Sequence, residues 1–104
     1  MVERVWSART TREGAAAYRE YFERVVLPEL AAVDGYRGVR LLQRELAGGQ
    51  AIEIVVVTEW VSLAVISGFA GAEIERAVVH DEAAALFTDY DRTVRHFEVV
   101  LDRS

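Results

Sequence analysis

One stretch limits the possible folds of this chain more than any other, the run I-E-I-V-V-V-T-E-W at Ile52–Trp60. β-Branched apolar residues dominate it, and such side chains favour an extended, pleated backbone. Because Val55, Val56 and Val57 are consecutive, apolar side chains point to both faces of the strand. The stretch therefore predicts a central strand with both of its faces covered.

Composition narrows the class of protein. The 104 residues suit a single domain, 1–104, and a hydrophobic fraction of 52% supports a packed core. The net charge of −5 argues against nucleic-acid binding, and the absence of cysteine excludes disulfides and thiolate chemistry. No apolar run approaches the about 20 residues that span a bilayer, and the start lacks a signal-peptide pattern. We therefore expect a cytoplasmic protein with no membrane partner.

The chain before the central strand predicts a strand, a helix and a second strand. Val2–Arg9 has the residues of a strand, and Thr10 begins a T-x-x-E capping box that would start a helix at Thr11. Pro28 predicts a kink or break in that helix, because proline has no amide hydrogen to donate. Tyr36–Leu46 follows as a strand whose charged residues indicate the edge of a sheet.

A glycine-containing turn at 47–50 predicts a hairpin between the second and third strands. After the central strand, Ser62 is positioned to cap a second helix, residues 72–89 have helical patterning in pieces, and Thr93–Leu101 forms a last strand. The order is βαββαβ, an α+β ferredoxin-like fold with an antiparallel sheet whose first and third strands are central.

Helices cover only one face of such a sheet, yet the central strands are apolar on both faces. The remaining face predicts pairing with the sheet of a second copy, most simply in a symmetric homodimer.

Several runs along the chain, in this order, resemble the antibiotic biosynthesis monooxygenase family of dimeric α/β barrels. The matching runs are Val26–Leu30, Gly35–Gly38, Thr58–Ser62, Phe69–Gly71, Glu75–His80 and Arg95–Val100. The resemblance implies a pocket between sheet and helices in each protomer. It also implies either cofactor-free oxidation of aromatic polyketides or haem degradation, since the family includes both.

The haem-degrading branch resembles an Asn–Trp–His pattern that this chain only partly keeps. The Asn position falls near Ala8, and the chain has no asparagine. The Trp position falls on Phe69, and His80 lies within about one residue of the ligand position. Haem degradation is therefore disfavoured, while haem binding through His80 stays open as an alternative.

Two histidines are the candidate bases. His80 is followed by two acidic residues, so a carboxylate could orient its ring, although H-D-E is also an ordinary polar helix start. His96 shares a strand face with Glu98, and this pair could deprotonate a phenol or an activated C–H if that face lines the pocket. Metal binding is not predicted, because His80 and the acidic residues beside it are adjacent, and adjacent residues rarely ligate one ion.

Aromatic side chains could line a pocket for a flat substrate, although aromatic residues at such spacing are more often core. The candidates are Trp6, Tyr36, Trp60, Phe69, Phe87 and Tyr90. Arg9 and Arg40 could hold an anionic oxygen of a substrate, or could simply pair with nearby glutamates.

These observations predict a small monooxygenase that oxidises an electron-rich aromatic with O2 and no cofactor. His80 or His96 would act as the base, and Trp60, Tyr36 and Phe69 would form the walls. The alternatives are a non-catalytic ligand-binding or dimerisation module and a haem-binding monooxygenase.

Overall fold

The computed structural model describes all 104 residues. Its strands and helices follow in the order β1 Val2–Thr10, α1 Arg12–Tyr21, α2 Leu27–Ala31, β2 Tyr36–Leu46, β3 Ala51–Trp60, α3 Ser67–Ala70, α4 Asp81–Ala84, β4 Asp89–Tyr90 and β5 Arg95–Glu98. None of the helices has the length and apolar character needed to cross a membrane.

The sheet is antiparallel with strand order β2-β3-β1, and β4 and β5 pair with the free side of β1. The predicted central positions of β1 and β3 and the edge position of β2 are therefore confirmed. The 47–50 turn joins β2 to β3 as predicted, with positive φ at Ala47, Gly48 and Gly49. The ferredoxin-like α+β fold is thus confirmed.

The last strand is divided, where the sequence predicted one strand over Thr93–Leu101. β4 pairs with Ala8 and Arg9, whereas β5 pairs with residues 2–5 of β1. Between them the Val94 amide donates to the Glu75 carbonyl over 2.8 Å, and the Ala77 amide donates to Arg92. The chain leaves β1 because these backbone groups bond to residues 75–77 instead.

Alternation along the two central strands sorts their side chains between the helices and the uncovered face. Arg4, Trp6 and Ala8 of β1 are buried towards the helices, while the residues between them are only partly buried. On β3, Ile54, Val56, Thr58 and Trp60 lie on the helix side and are buried. The core is therefore a single layer between the sheet and α1–α2.

The first helix begins one residue later than its capping pattern predicted. The cap is Thr11, whose Oγ1 accepts a hydrogen bond from the Gly14 amide over 3.0 Å. Thr10 belongs to β1 instead, and its hydroxyl donates to the Leu86 carbonyl over 2.6 Å. The polar side chain of Thr10 points inward with the even residues of β1, so it could not serve the helix.

Of the kink or break predicted at Pro28, the break does not occur. Leu27 keeps helical angles, φ −57° and ψ −46°, and α1 continues into α2 through a π-helical turn at Phe22–Val26. Proline is tolerated in the first turn of a helix, where its missing amide hydrogen costs no bond. Pro28 is the second residue of α2 and therefore lies in the first turn of that segment.

Most of the helix predicted after β3 is irregular backbone. Helical structure is limited to a 3₁₀ turn at Ala64–Ile66, α3 and α4, and Ser62 forms no side-chain cap. Gly71, at φ +79°, ends α3, and residues 72–80 contain no helix. The Ala77 amide donates to the Arg92 carbonyl, and the Glu75 carbonyl accepts from the Val94 amide. These bonds hold the segment along the sheet edge, where Val78, Val79 and His80 form one wall of a cavity.

Candidate functional site

A cavity of about 60 Å³ lies between the helix-facing side of the sheet and α1–α2. Twelve of its sixteen lining residues are hydrophobic. The other four are Arg4, Glu29, Thr58 and His80, and two of the hydrophobic residues, Tyr18 and Tyr21, carry hydroxyl groups. This volume is far below the about 300 Å³ of a typical ligand pocket. A flat aromatic ligand would therefore have to displace part of the wall.

Three polar side chains form a row across the sheet at one end of the cavity. Arg4 on β1 is the direct cross-strand partner of Thr58 on β3 and of His96 on β5. Residues that oppose one another in a sheet place their side chains on the same face. The row therefore points towards the helices, and two of its members, Arg4 and Thr58, line the cavity.

Arg4 is a buried cation, with 4% of its surface exposed. Its Nη1 donates to the Ile74 carbonyl and lies 3.0 Å from His96 Nε2, and its Nη2 donates to the Arg76 carbonyl over 2.9 Å. Its guanidinium carbon lies 5.8 Å from the centre of the Phe69 ring. Burial lowers the pKa of Arg4 to about 10, so the side chain is still charged at neutral pH.

Thr58 is held in one orientation by Trp60. The indole Nε1 of Trp60 donates to Thr58 Oγ1 over 2.8 Å, and both residues are buried. Because the hydroxyl oxygen already accepts this bond, its own hydrogen is left to donate.

His80 lies at the rim of the cavity, where it is bound to a carboxylate. Its Nε2 is 3.1 Å from Glu29 Oε2, and the two side chains are 49% and 42% exposed. The orienting carboxylate is Glu29 of α2 and not an acidic neighbour in sequence, since Glu82 is paired with Arg24 over 2.6 Å.

Aromatic residues of β1, α1 and the π-helical turn form another wall. Trp6, Tyr18, Tyr21 and Phe22 all line the cavity. Trp6 is fixed by a hydrogen bond from its Nε1 to the Asp91 carbonyl over 2.7 Å. Burial, with a smaller contribution from Tyr21, raises the pKa of Tyr18, so its hydroxyl stays protonated at neutral pH.

The predicted site residues are only partly brought together. Trp6, Phe69 and His80 line the cavity, and His96 contacts it through Arg4. Trp60 and Tyr36 lie behind Phe69. The ring centres of Trp60 and Phe69 are 5.9 Å apart, and those of Tyr36 and Trp60 are 5.7 Å apart.

The other predicted residues lie elsewhere. Phe87 packs on Trp6 at 5.5 Å, behind the cavity wall, and Tyr90 packs on Phe87 at 6.0 Å. Arg40 lies on the uncovered face of the sheet, 3.4 Å from Glu3. Arg9 is on that face too, paired with Asp89 and Asp91.

Sequence reasoning missed Arg4, Thr58 and Tyr18. The alternation of β1 could have identified Arg4, because Arg4 falls on the same face of the strand as Trp6 and Ala8. A charged residue at a buried parity of a central strand is uncommon, since burying a charge is costly.

The uncovered face of the sheet carries an apolar strip rimmed by charges. Val5, Leu42, Val55, Val57 and Phe97 form the strip, and Leu42 and Phe97 are 44% and 48% exposed. Beyond β5, Val100 and Leu101 are 87% and 75% exposed.

The sequence matches no protein-family model and no curated protein. Solved structures do match over the whole chain. An Arg-to-Ser variant of MhuD, with two manganese protoporphyrin IX bound per active site, gives a TM-score of 0.62 at 24% identity, covering 100% of this chain and 99% of MhuD. This chain therefore shares the fold of MhuD.

Two further structures agree with MhuD. A Deinococcus radiodurans protein provisionally assigned as an antibiotic biosynthesis monooxygenase gives a TM-score of 0.62 at 14% identity, covering 100% of this chain and 97% of its own. Rv0793 from Mycobacterium tuberculosis gives a TM-score of 0.55 at 21% identity, covering 99% of this chain and 97% of Rv0793. The ferredoxin-like fold predicted from the sequence is therefore also the fold of these three solved structures.

The cavity does not fit the porphyrin that MhuD holds. Its volume of about 60 Å³ is too small for a macrocycle. In addition, Nε2 of His80 is bound to Glu29. No group of three or more His, Asp or Glu side chains is arranged to hold a metal ion.

Proposed function

We propose that this chain belongs to the antibiotic biosynthesis monooxygenases and oxidises an electron-rich, enolisable aromatic with O2. The observation that carries the proposal is the cavity, an apolar chamber with a histidine–carboxylate pair at its rim. The similarity in fold to MhuD and to the Deinococcus radiodurans protein supports the same class of chemistry.

In this reaction the substrate C–H loses its proton to His80, and the carbanion transfers one electron to O2. The substrate radical and superoxide then combine to form a C–O bond. The peroxide anion formed in this way takes the proton back from His80 and becomes a hydroperoxide. The hydroperoxide loses water and leaves a ketone, so one oxygen atom enters the product and the other leaves as water. Glu29 would hold the imidazole in position, and the apolar walls would exclude water from the carbanion.

His80 is better placed for this role than His96. His80 lines the cavity, whereas Nε2 of His96 is bound to Arg4. Burial and the charge of Arg4 lower the pKa of His96, which makes it a weaker base. His96 therefore has the role of a partner to Arg4 in this proposal.

The test is oxygen uptake with anthrone, comparing wild type with His80→Gln and His96→Gln. We expect His80→Gln to lower turnover by about 10²-fold or more, the usual contribution of general base catalysis, with a much smaller effect of His96→Gln. If wild type consumes no oxygen with anthrone or other phenolic substrates, the non-catalytic binding module replaces this proposal.

The haem-binding alternative rests on the similarity to MhuD and on the position of His80 at the rim. A haem titration followed by visible absorption separates it from the cofactor-free reaction. We expect no saturable band. A band that is lost in His80→Ala would favour the haem alternative.

We also propose that two copies pair through the uncovered face of the sheet. Its apolar strip, with both Leu42 and Phe97 over 40% exposed, is the surface that a second sheet would cover.

A further inference from the structure

The clearest unexplained feature of the cavity is the positive charge of Arg4. The chain contains eight ion pairs between an arginine and a carboxylate, and Arg4 takes part in none of them. A buried charge is normally paired, because taking it out of water is costly. The carbonyls of Ile74 and Arg76 supply partial negative charge only.

The carboxylates near this end of the cavity have other partners or lie outside. Glu29 is bound to His80, and Glu73 is paired with Arg76. Glu75 is exposed at the surface, and its charge acts to raise the pKa of His96. The protein therefore provides no anion for Arg4.

Two of the hydrogen-bond donors of Arg4 are not used by the protein. A guanidinium carries five N–H bonds, and three of those of Arg4 are directed to Ile74, Arg76 and His96. The Nε–H and one N–H of Nη2 have no protein acceptor. Beside them in the row, the Thr58 hydroxyl accepts from Trp60 and retains its hydrogen for another acceptor.

We propose that Arg4 and Thr58 bind an acidic oxygen group, the carboxylate or phenolate of an aromatic ligand whose ring lies against Trp6 and Phe69. The inference rests on the proposed function in that it names the class of ligand this cavity takes. His96 has a positioning role, because its ring nitrogen fixes one end of the guanidinium.

The first experiment compares two ligands of the same shape on wild-type protein, 1-naphthoate and 1-naphthamide, by calorimetric titration. Because hydrogen bonds to a charged partner are the stronger ones, we expect the carboxylate to bind at least about tenfold more tightly than the amide. Equal affinities, tighter binding of the amide, or no binding of either ligand would overturn the proposal.

The second experiment removes the donors one at a time. Arg4→Met should abolish the preference for the carboxylate, and Thr58→Val, which keeps the shape and loses the hydroxyl, should reduce it several-fold. Arg19→Met is the matched control, because Arg19 is an exposed arginine on α1 paired with Glu23. If Arg4→Met does not fold, Thr58→Val decides, and an unchanged preference in that variant contradicts the proposal.

Oxygen uptake with neutral anthrone keeps this inference separate from the proposed function. A chain that prefers naphthoate but consumes no oxygen would be an acid-binding module, so the inference would hold and the oxygenase would not. A chain that oxidises anthrone without distinguishing naphthoate from naphthamide would be an oxygenase, and the anion site would be refuted.

Discussion

The guanidinium of Arg4 and the imidazole of His96 are bound to each other across neighbouring strands, with 3.0 Å between Nη1 and Nε2. Arginine has only donors, so Nε2 of His96 must accept and its proton must be on Nδ1. A protonated His96 would face Arg4 as a like charge. This contact therefore fixes both the tautomer and the neutral state of His96.

The first prediction concerns the stability of the fold in mild acid. Burial, and then the charge of Arg4, lower the pKa of His96 below its ordinary value of 6.5, and Glu75 opposes them. The unfolded chain therefore binds this proton more readily than the folded one. The contribution of neutral His96 to the free energy of unfolding should be fully present above pH 6.5. It should be lost progressively as the pH drops below that value. Urea unfolding of wild type and His96→Gln at pH 7.5 and 5.5 measures the effect.

The mild-acid window isolates His96 from the carboxylates. Asp89 and Glu53 also have lowered pKa values, chiefly because of hydrogen bonds from Arg9 and Arg44 respectively. Their effect on stability is lost only as the pH falls below their ordinary pKa values of 3.8 and 4.5. The stability of His96→Gln should accordingly change less between pH 7.5 and 5.5 than that of wild type. Equal changes in the two proteins would refute the assignment.

The second prediction concerns Trp60, which is fully buried and donates to Thr58. Trp60→Ala should lower the free energy of unfolding by about 3–5 kcal/mol, the usual cost of emptying such a site. Leu63→Ala is the control, because Leu63 is 46% exposed and should change stability by less than about 1 kcal/mol. Denaturant titration measures both, and similar losses would show that Trp60 is not part of the core.

The third prediction concerns Gly14 at the start of α1. Alanine normally stabilises a helix relative to glycine by about 0.5–1 kcal/mol. Here an added Cβ would meet the side chain of Thr10 and lie 2.6 Å from the Leu86 carbonyl oxygen. Gly14→Ala should therefore destabilise the protein by about 1–3 kcal/mol. Gly38→Ala, where no atom lies within 4 Å of the added carbon, is the control in thermal unfolding. A more stable Gly14→Ala protein would disprove the close contact.

The fourth prediction concerns pairing through the uncovered sheet face. Leu42→Asp places a charge in the apolar strip and should convert a dimer to a monomer, measured by light scattering after gel filtration. Leu63→Asp is matched in exposure, 46% against 44%, but lies outside the sheet, so it should leave the dimer intact. A wild-type monomer at micromolar concentration would refute the pairing.

Much of the sheet could be predicted from the sequence, because its signals are local. The consecutive valines of β3 identify a central strand with apolar side chains on both faces, and Gly48 and Gly49 identify the hairpin. The region after β3 could not be predicted in this way. Its alanines and valines are compatible with a helix, but its backbone bonds to residues 92–94, and no local pattern carries that information.

The candidate site was predictable in part. His80 and Phe69 were singled out for their chemistry, and both lie at the cavity. Arg9 and Arg40 are the arginines that the sequence indicates for an anionic oxygen, and the structure places both on the face of the sheet opposite to Arg4. The facing of a strand follows from its pairing partners. Once β1 is aligned with β3, Arg4 falls beside Thr58 on the helix side.

The π-helical turn at Phe22–Val26 has a consequence for how this chain aligns with its relatives. A π turn is an α-helix that has accepted one extra residue, since each of its hydrogen bonds spans five residues in place of four. A homologue with an ordinary helix here would be one residue shorter, and a correct alignment would place a single gap between Tyr21 and Leu27. An alignment without that gap would be out of register by about 100° around the helix, and it would exchange cavity-facing positions for surface ones.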